Sequence, residues 1–242
     1  MSNKLRSDLP PMPARMSALP VDERGYPVPW FVHWSDGKPD FRIMDNVKRA
    51  VAVTQRKCWL CGGQLGRFQA FVIGPMCAIN RVTQEPPSHK DCAIYAAMAC
   101  PFLARPHAKR REAGLPENIA PDNGIALLHN PGVCLVWIAR SFFCYSVPTP
   151  DNPRGWLIKV GDPVETLWYA EGRPANRLEV LEAISRGLPI LTEAAKLQGR
   201  EAELELAKAI DQVRRILPPP LDGVPDPDLV TVGEGGTNAL KS

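Results

Sequence analysis

Residues 56–103 read RKCWLCGGQLGRFQAFVIGPMCAINRVTQEPPSHKDCAIYAAMACPFL. The stretch opens on Cys58-x-x-Cys61 and closes on His89-x-x-Cys92, with residues 62–88 between the pairs. Two cysteines separated by two residues can both reach one ion from a tight knuckle. Gly62 and Gly63 follow directly and can take the positive φ that such a turn often needs. Arg56 and Lys57 stand beside the pair, where positive charge favours thiolate over thiol.

The second pair sits at an expected helix start. In PPSHKDC, Ser88 suits an N-cap and Asp91, three residues on, can close a capping box, while Pro86 and Pro87 bar an earlier start. His89 and Cys92 then fall at i and i+3 on one helical face. The helix is expected to run on through AIYAAMA and to stop at Pro101. The intervening RFQAFVIG and MCAINRV read as two short strands with a turn at Gly74-Pro75. A knuckle, a hairpin and a helix with ligands in its first turn resemble the treble-clef class of zinc fingers. That resemblance implies one structural Zn²⁺ held by Cys58, Cys61, His89 and Cys92. Cys77 and Cys100 are expected to be core cysteines instead.

Four protein ligands leave no open position on a tetrahedral ion, which is the mark of a structural site. A deaminase-type zinc motif needs Glu two residues after its His, and Asp91 stands there instead. The treble-clef frame is also shared with HNH-type nucleases, the alternative enzymatic reading. As a resemblance, those nucleases carry a catalytic His, often beside an Asp, between the two halves. Residues 62–88 hold no His and no Asp, and Glu85 is their single acid. The reading preferred from the sequence is therefore a non-enzymatic accessory or regulatory protein that binds nucleic acid or a protein partner.

Outward from the module, the 242 residues divide into an α+β chain: the zinc module, a small antiparallel sheet and C-terminal helices. Residues 1–26 are Pro-rich and read as a flexible arm. Residues 27–103 comprise a hairpin, a helix and the zinc module. The hairpin is PWFVHWSDGKPDFRIM, with Trp30, Phe31, Trp34 and Phe41 as core anchors, followed by a helix capped at Asp45 or Asn46. Residues 104–124 form a linker. Residues 125–217 supply GVCLVWIAR, FFCYSV, GWLIKVG and VETLWYAE as strands, and then two helices. The first helix is expected to open on an Asn176/Glu179 capping box, end at Gly187 and hand over to a helix beginning near Pro189. Leu206, Ile210, Val213 and Leu217 make one apolar stripe in the last helix. Residues 218–242 read as a disordered tail.

Net charge is +3 at pH 7, so any phosphate-binding surface must be local. Arg105, Lys109, Arg110 and Arg111 form a basic run after the zinc helix and are candidate nucleic-acid contacts. Arg173 and Arg177, beside a helix start, are candidate anion ligands. The seven cysteines, an odd count without a secretory leader, fit metal binding in a reducing compartment better than a disulfide framework. No apolar run is long enough to span a membrane, and a cytoplasmic setting is expected. Over its length the chain resembles uncharacterised proteins of tailed phages and prophages. The residues that prompt this are PWFVHWSDGKPDFR, the FVIGPMCAINRVTQEPPSHKDCAIYAAMACPFL block and EGRPANRLEVLEAISRGLP. It implies the host cytoplasm as the setting and carries no activity with it. Oligomeric state is not legible from any of these features.

Overall fold

The computed structural model describes residues 3–105, 130–150 and 152–220. The architecture is α+β, with small antiparallel sheets and helices. Strands β1 (Val32–Ser35) and β2 (Lys38–Met44) form the expected hairpin. Asp36 and Gly37 at its tip both have positive φ, the geometry that a tight two-residue connection requires. Helix α1 (Asn46–Thr54) follows, and Asp45 caps it by accepting from the Val47 and Lys48 amides.

The middle of the zinc segment departs from expectation. Strand β3 (Gln69–Ile73) is followed not by a hairpin turn but by helix α2 (Pro75–Asn80), and β4 (Val82–Thr83) comes after it. Gly74 is the N-cap and Pro75 the first helical residue, a position where the missing amide costs nothing. β3 and β4 do not pair with each other. β3 joins a four-stranded sheet in the order β3-β5-β8-β9, and β4 joins a three-stranded sheet in the order β4-β7-β6. The treble-clef hairpin is thus absent, and its two strands are shared out to two different sheets.

Helix α3 (Lys90–Ala99) carries the second ligand pair. The later strands are β5 (Cys134–Ala139), β6 (Phe142–Ser146), β7 (Trp156–Val160), β8 (Pro163–Ala170) and β9 (Arg173–Pro174). Every residue of β5 is buried, which matches its unbroken apolar sequence CLVWIA. Leu135, Trp137 and Ala139 face one core, with Phe71 and Ile73 of β3, Ile158 and Val160 of β7, and Ala78 and Ile79 of α2. Cys134, Val136 and Ile138 face another, with Ala93 and Ala97 of α3. Helix α3 therefore covers one face of the sheet that the second half of the chain completes.

The opposite face is closed by α4 (Arg177–Gln198) and α5 (Arg200–Arg214). The Asn176/Glu179 capping box is present in full. The expected break at Gly187 is not: α4 runs through both Gly187 and Pro189 and ends at Gly199. Proline within a helix costs about 3 kcal/mol, so packing must outweigh it. Leu188 and Leu191 lie in the main core, and a Cβ on Gly187 would come within 2.8 Å of the Met76 side chain. Gly187 is a contact point for α2 rather than a helix stop. The Leu206, Ile210, Val213 and Leu217 stripe packs into the same core.

Residues 3–26 also differ from the expected flexible arm. Met16 is 2% exposed and packs with Leu9, Met12 and Leu19 against Cys58, Cys92 and Tyr95. Asp22 organises a turn by accepting from the Arg24 and Tyr26 amides, and Val21 and Pro27 form a bridge. The prolines leave room for only a single 3₁₀ turn at Ala14–Met16 but do not prevent burial, and the segment that carries the four Cys/His residues supplies the apolar surface. Trp34, expected as a core anchor, is 41% exposed. Most of the 104–124 linker and the tail from 221 onward lie outside the described residues. Pro218 is tied down, since its carbonyl accepts from Arg177 Nη1. No helix among the described residues is long and apolar enough to cross a membrane.

Because the two halves share the faces of β5, they should unfold together. Leu135→Ala, at a fully buried β5 position, should cost about 2–5 kcal/mol. The loss should appear as one shifted denaturant transition monitored both by tryptophan fluorescence and by far-ultraviolet circular dichroism. Two separated transitions would mean that the halves are independent units.

Candidate metal centre

The knuckle is built by backbone hydrogen bonds around the first ligand. The Cys58 amide donates to the Gly63 carbonyl at 2.7 Å, and the Gly62 amide to the Cys58 carbonyl at 2.8 Å. Gly62 has φ +73°, and a Cβ there would lie 2.9 Å from the Trp30 ring. Both conformation and space therefore call for glycine. Lys57 and Gln64 bridge across the base of the loop.

The second pair is held to the first by a strap. Ser88 and Ala70 exchange both amide–carbonyl hydrogen bonds, and the Trp59 amide donates to the Pro87 carbonyl at 3.0 Å. Ser88 is thus part of an extended bridge rather than the N-cap. The N-cap is His89 itself, and no side chain caps the helix. Asp91 accepts from the Cys92 amide and pairs with Arg15 at 2.8 Å, in place of the expected capping box. Cys92 lies in the first turn of α3, where the helix dipole favours a thiolate.

These constraints bring Cys58, Cys61, His89 and Cys92 together, with all four donor atoms within 4.8 Å of one another. His89 Nδ1 lies 3.4 Å from Cys61 Sγ and 3.9 Å from Cys92 Sγ. Zn–S bonds of about 2.3 Å and Zn–N bonds of about 2.0–2.1 Å put S and N roughly 3.5 Å apart on a tetrahedron. The spacing suits a single four-coordinate ion such as zinc. His89 Nε2–H donates to the Gln64 carbonyl at 2.9 Å, which leaves the Nδ1 lone pair directed at the sulfurs. The Cys61 and His89 amides each approach Cys58 Sγ at 3.4 Å, as donors to a thiolate.

The sulfurs are unequal. Hydrogen bonds from the Cys61 and Cys92 thiols, joined by those two amides, hold the Cys58 thiol far below the usual thiol range. Cys61 and Cys92 are raised by their proximity to that anion. Three thiols this close cannot all ionise without a cation among them, and a divalent ion supplies one. Cys58 and Cys92 are buried while Cys61 and His89 are half-buried, so the cluster has an inner side and a rim. Behind it, Trp59 stacks on Phe31 with centroids 4.6 Å apart.

The other expected site residues fall elsewhere. Cys134 is buried and Cys77 is half-buried against the main core, and desolvation pushes their thiols up to about 12 and about 11 respectively. Arg173 is engaged bidentately by Glu179 at 2.6 and 3.1 Å and flanked by Glu171, so its charge is met within the protein. Arg177 reaches the Pro218 carbonyl at 2.9 Å. The structure does not bring these two arginines together around an open anion site. Of the basic run, Arg105 is described, whereas Lys109, Arg110 and Arg111 lie outside the described residues. The Gln64 carbonyl escaped the sequence reading because a backbone atom leaves no signature in residue type. Arg15 escaped it because nothing in the sequence links residues 15 and 91. No family model matches the chain, and no curated protein or solved structure shows significant similarity to it.

Two outcomes follow. Metal analysis of purified protein should find one zinc per chain, and Cys61→Ala should lose metal and solubility together, since zinc supplies about 10 kcal/mol or more of folding free energy in small modules. Well-folded protein free of metal would contradict this. Alkylation followed by mass spectrometry should label exposed Cys144 first and leave Cys134 untouched at pH 8, because a thiol at about 12 is almost wholly protonated there. Chelation should then open Cys58, Cys61 and Cys92 to the reagent.

Proposed function

We propose that the cluster holds one structural zinc ion, and that the protein is a non-enzymatic accessory or regulatory protein binding nucleic acid or a protein partner through this module. The observation that supports the reading is the closed donor set: four protein ligands, with the histidine tautomer set by Gln64. A site with no position for water can shape a surface but cannot activate a nucleophile. The segment between the ligand pairs forms β3, α2 and β4, and its composition lacks the His and Asp of an HNH-type centre. On the resemblance to phage and prophage proteins alone, we take the setting to be the host cytoplasm.

Nucleic acid is the partner we favour, because the chain around the module carries Arg15, Lys48, Arg56, Lys57 and Arg105 and then the Lys109–Arg111 run. If Arg105, Lys109, Arg110 and Arg111 each neutralise a phosphate, log K against log salt on duplex DNA should fall with a slope of roughly −3 to −4. Replacing all four by Ser should flatten that slope and leave zinc content unchanged. No binding to any nucleic acid at low salt would favour a protein partner instead. Metal-dependent plasmid nicking lost in His89→Ala would replace the whole reading with a nuclease.

A further inference from the structure

Beside the knuckle lies a cleft of about 320 Å³, lined among others by Arg15, Pro29, Trp30, Trp34, Lys48 and Cys61. That is the lower end of the roughly 300–1,000 Å³ range of small-ligand sites, enough for one planar group and a substituent. Its walls come from four parts of the chain, with Lys48 supplied by α1. Arg15 comes from the N-terminal segment, the tryptophans from the hairpin and its approach, and Cys61 from the metal cluster. The Trp30 amide donates to the Leu60 carbonyl at 2.8 Å, and its ring lies against Gly62. Trp30 is therefore a fixed wall.

Trp34 is different. Of the six tryptophans it alone is exposed, at the tip of a two-stranded hairpin and opposite Pro39. An exposed tryptophan has ring area free to offer a partner, and tryptophan is enriched among the residues that carry binding energy at contact surfaces. The only charged residues lining the cleft are Arg15 and Lys48, and both are cations. Asp91 takes Arg15 through Nε, and the guanidinium stays half-exposed. Lys48 Nζ is 3.2 Å from the Val32 carbonyl and 3.6 Å from Asp45, which holds the ammonium at the cleft wall 6.0 Å from the Trp30 centroid.

An aromatic wall with two partly exposed cations, each paired to a carboxylate that does not itself line the cleft, matches a base and its phosphates. Duplex bases are covered by their neighbours, so only a single strand can offer a base to one tryptophan in a cleft. We infer that the Trp30–Trp34 cleft beside the metal centre binds single-stranded nucleic acid, stacking one base on Trp34 and drawing its phosphates to Arg15 and Lys48. The inference rests on the nucleic-acid form of the function proposed above and names the strandedness and the residues.

The test uses the full-length zinc-loaded protein and a fluorescent oligo-dT 12-mer, read by anisotropy at low salt. Trp34→Ala should weaken binding about 5- to 150-fold, and Trp34→Phe should restore most of the loss. An abasic strand of equal length should bind the wild type as poorly as oligo-dT binds Trp34→Ala. Lys48→Gln should make the salt slope shallower by about 0.7. Zinc content and thermal midpoint must match the wild type, as an exposed hairpin-tip residue allows. Equal affinity of Trp34→Ala and wild type, or of abasic strand and oligo-dT, would overturn the inference. Steep salt-dependent duplex binding would in that case still stand for the broader proposal. Absence of binding to every nucleic acid would overturn both. A proline-rich peptide that binds in a Trp34-dependent way, while oligo-dT does not, would assign the cleft to a protein partner.

Discussion

The structure depends on burying strand β5 on both faces. CLVWIA has no polar face to offer water, so each side of the strand needs a cover, and the chain draws the covers from helices both before and after it in sequence. Helix α3 of the metal segment packs on Cys134, Val136 and Ile138; α2, α4 and α5 pack with Leu135, Trp137 and Ala139. Fully burying a large apolar side chain is worth about 1.5–3 kcal/mol, so the four at Leu135, Val136, Trp137 and Ile138 weigh heavily against a small net stability. This is why the segment that carries the donor cluster is built into the sheets. Its strands have gone to separate sheets, and its helix is structural cladding for a sheet completed more than thirty residues later.

The donor cluster sets where that helix lies. Its four side chains come from a knuckle before β3 and from the start of α3 after β4. Without a cation, the site would carry buried sulfurs with competing ionisation and a histidine whose lone pair faces them. With one divalent ion the three thiolates would leave a single net negative charge, and the amides of Cys61 and His89 would donate to the inner thiolate. A metal here therefore fixes the α3 N-terminus against the knuckle, and through α3 it fixes one face of β5. Electrostatics at the cluster and apolar burial at the sheet act on the same helix.

The ligand set was legible because metal binding constrains residue type and short spacing together, and both are written in the chain. The strands after residue 130 and the Asn176/Glu179 box were legible for similar local reasons. What escaped the reading is what local pattern leaves ambiguous. Gly-Pro marks a turn or a helix start equally well, and Gly74-Pro75 took the second course. Gly187 resembles a C-cap until Met76 is seen to fill the space beside it. The prolines of residues 10–29 argued for a free arm, although proline forbids only regular hydrogen bonding. Met16 reaches the apolar surface between Cys58 and Tyr95, which no nearby residue announces.

The packed N-terminal segment changes what the metal centre can be for. A closed site has no chemistry of its own to offer a ligand, so its influence must pass through the surfaces that it positions. Arg15 is held over α3 by Asp91, and Trp30 is held on Gly62 by the knuckle's shape. The cleft between them is thus assembled from segments that meet beside the donor cluster. Loss of the ion would free the knuckle and the α3 N-terminus together, and the cleft walls with them. For a cluster that holds an ion, metal occupancy and the integrity of this surface would be coupled, because residues that line the cleft are anchored beside the donor residues.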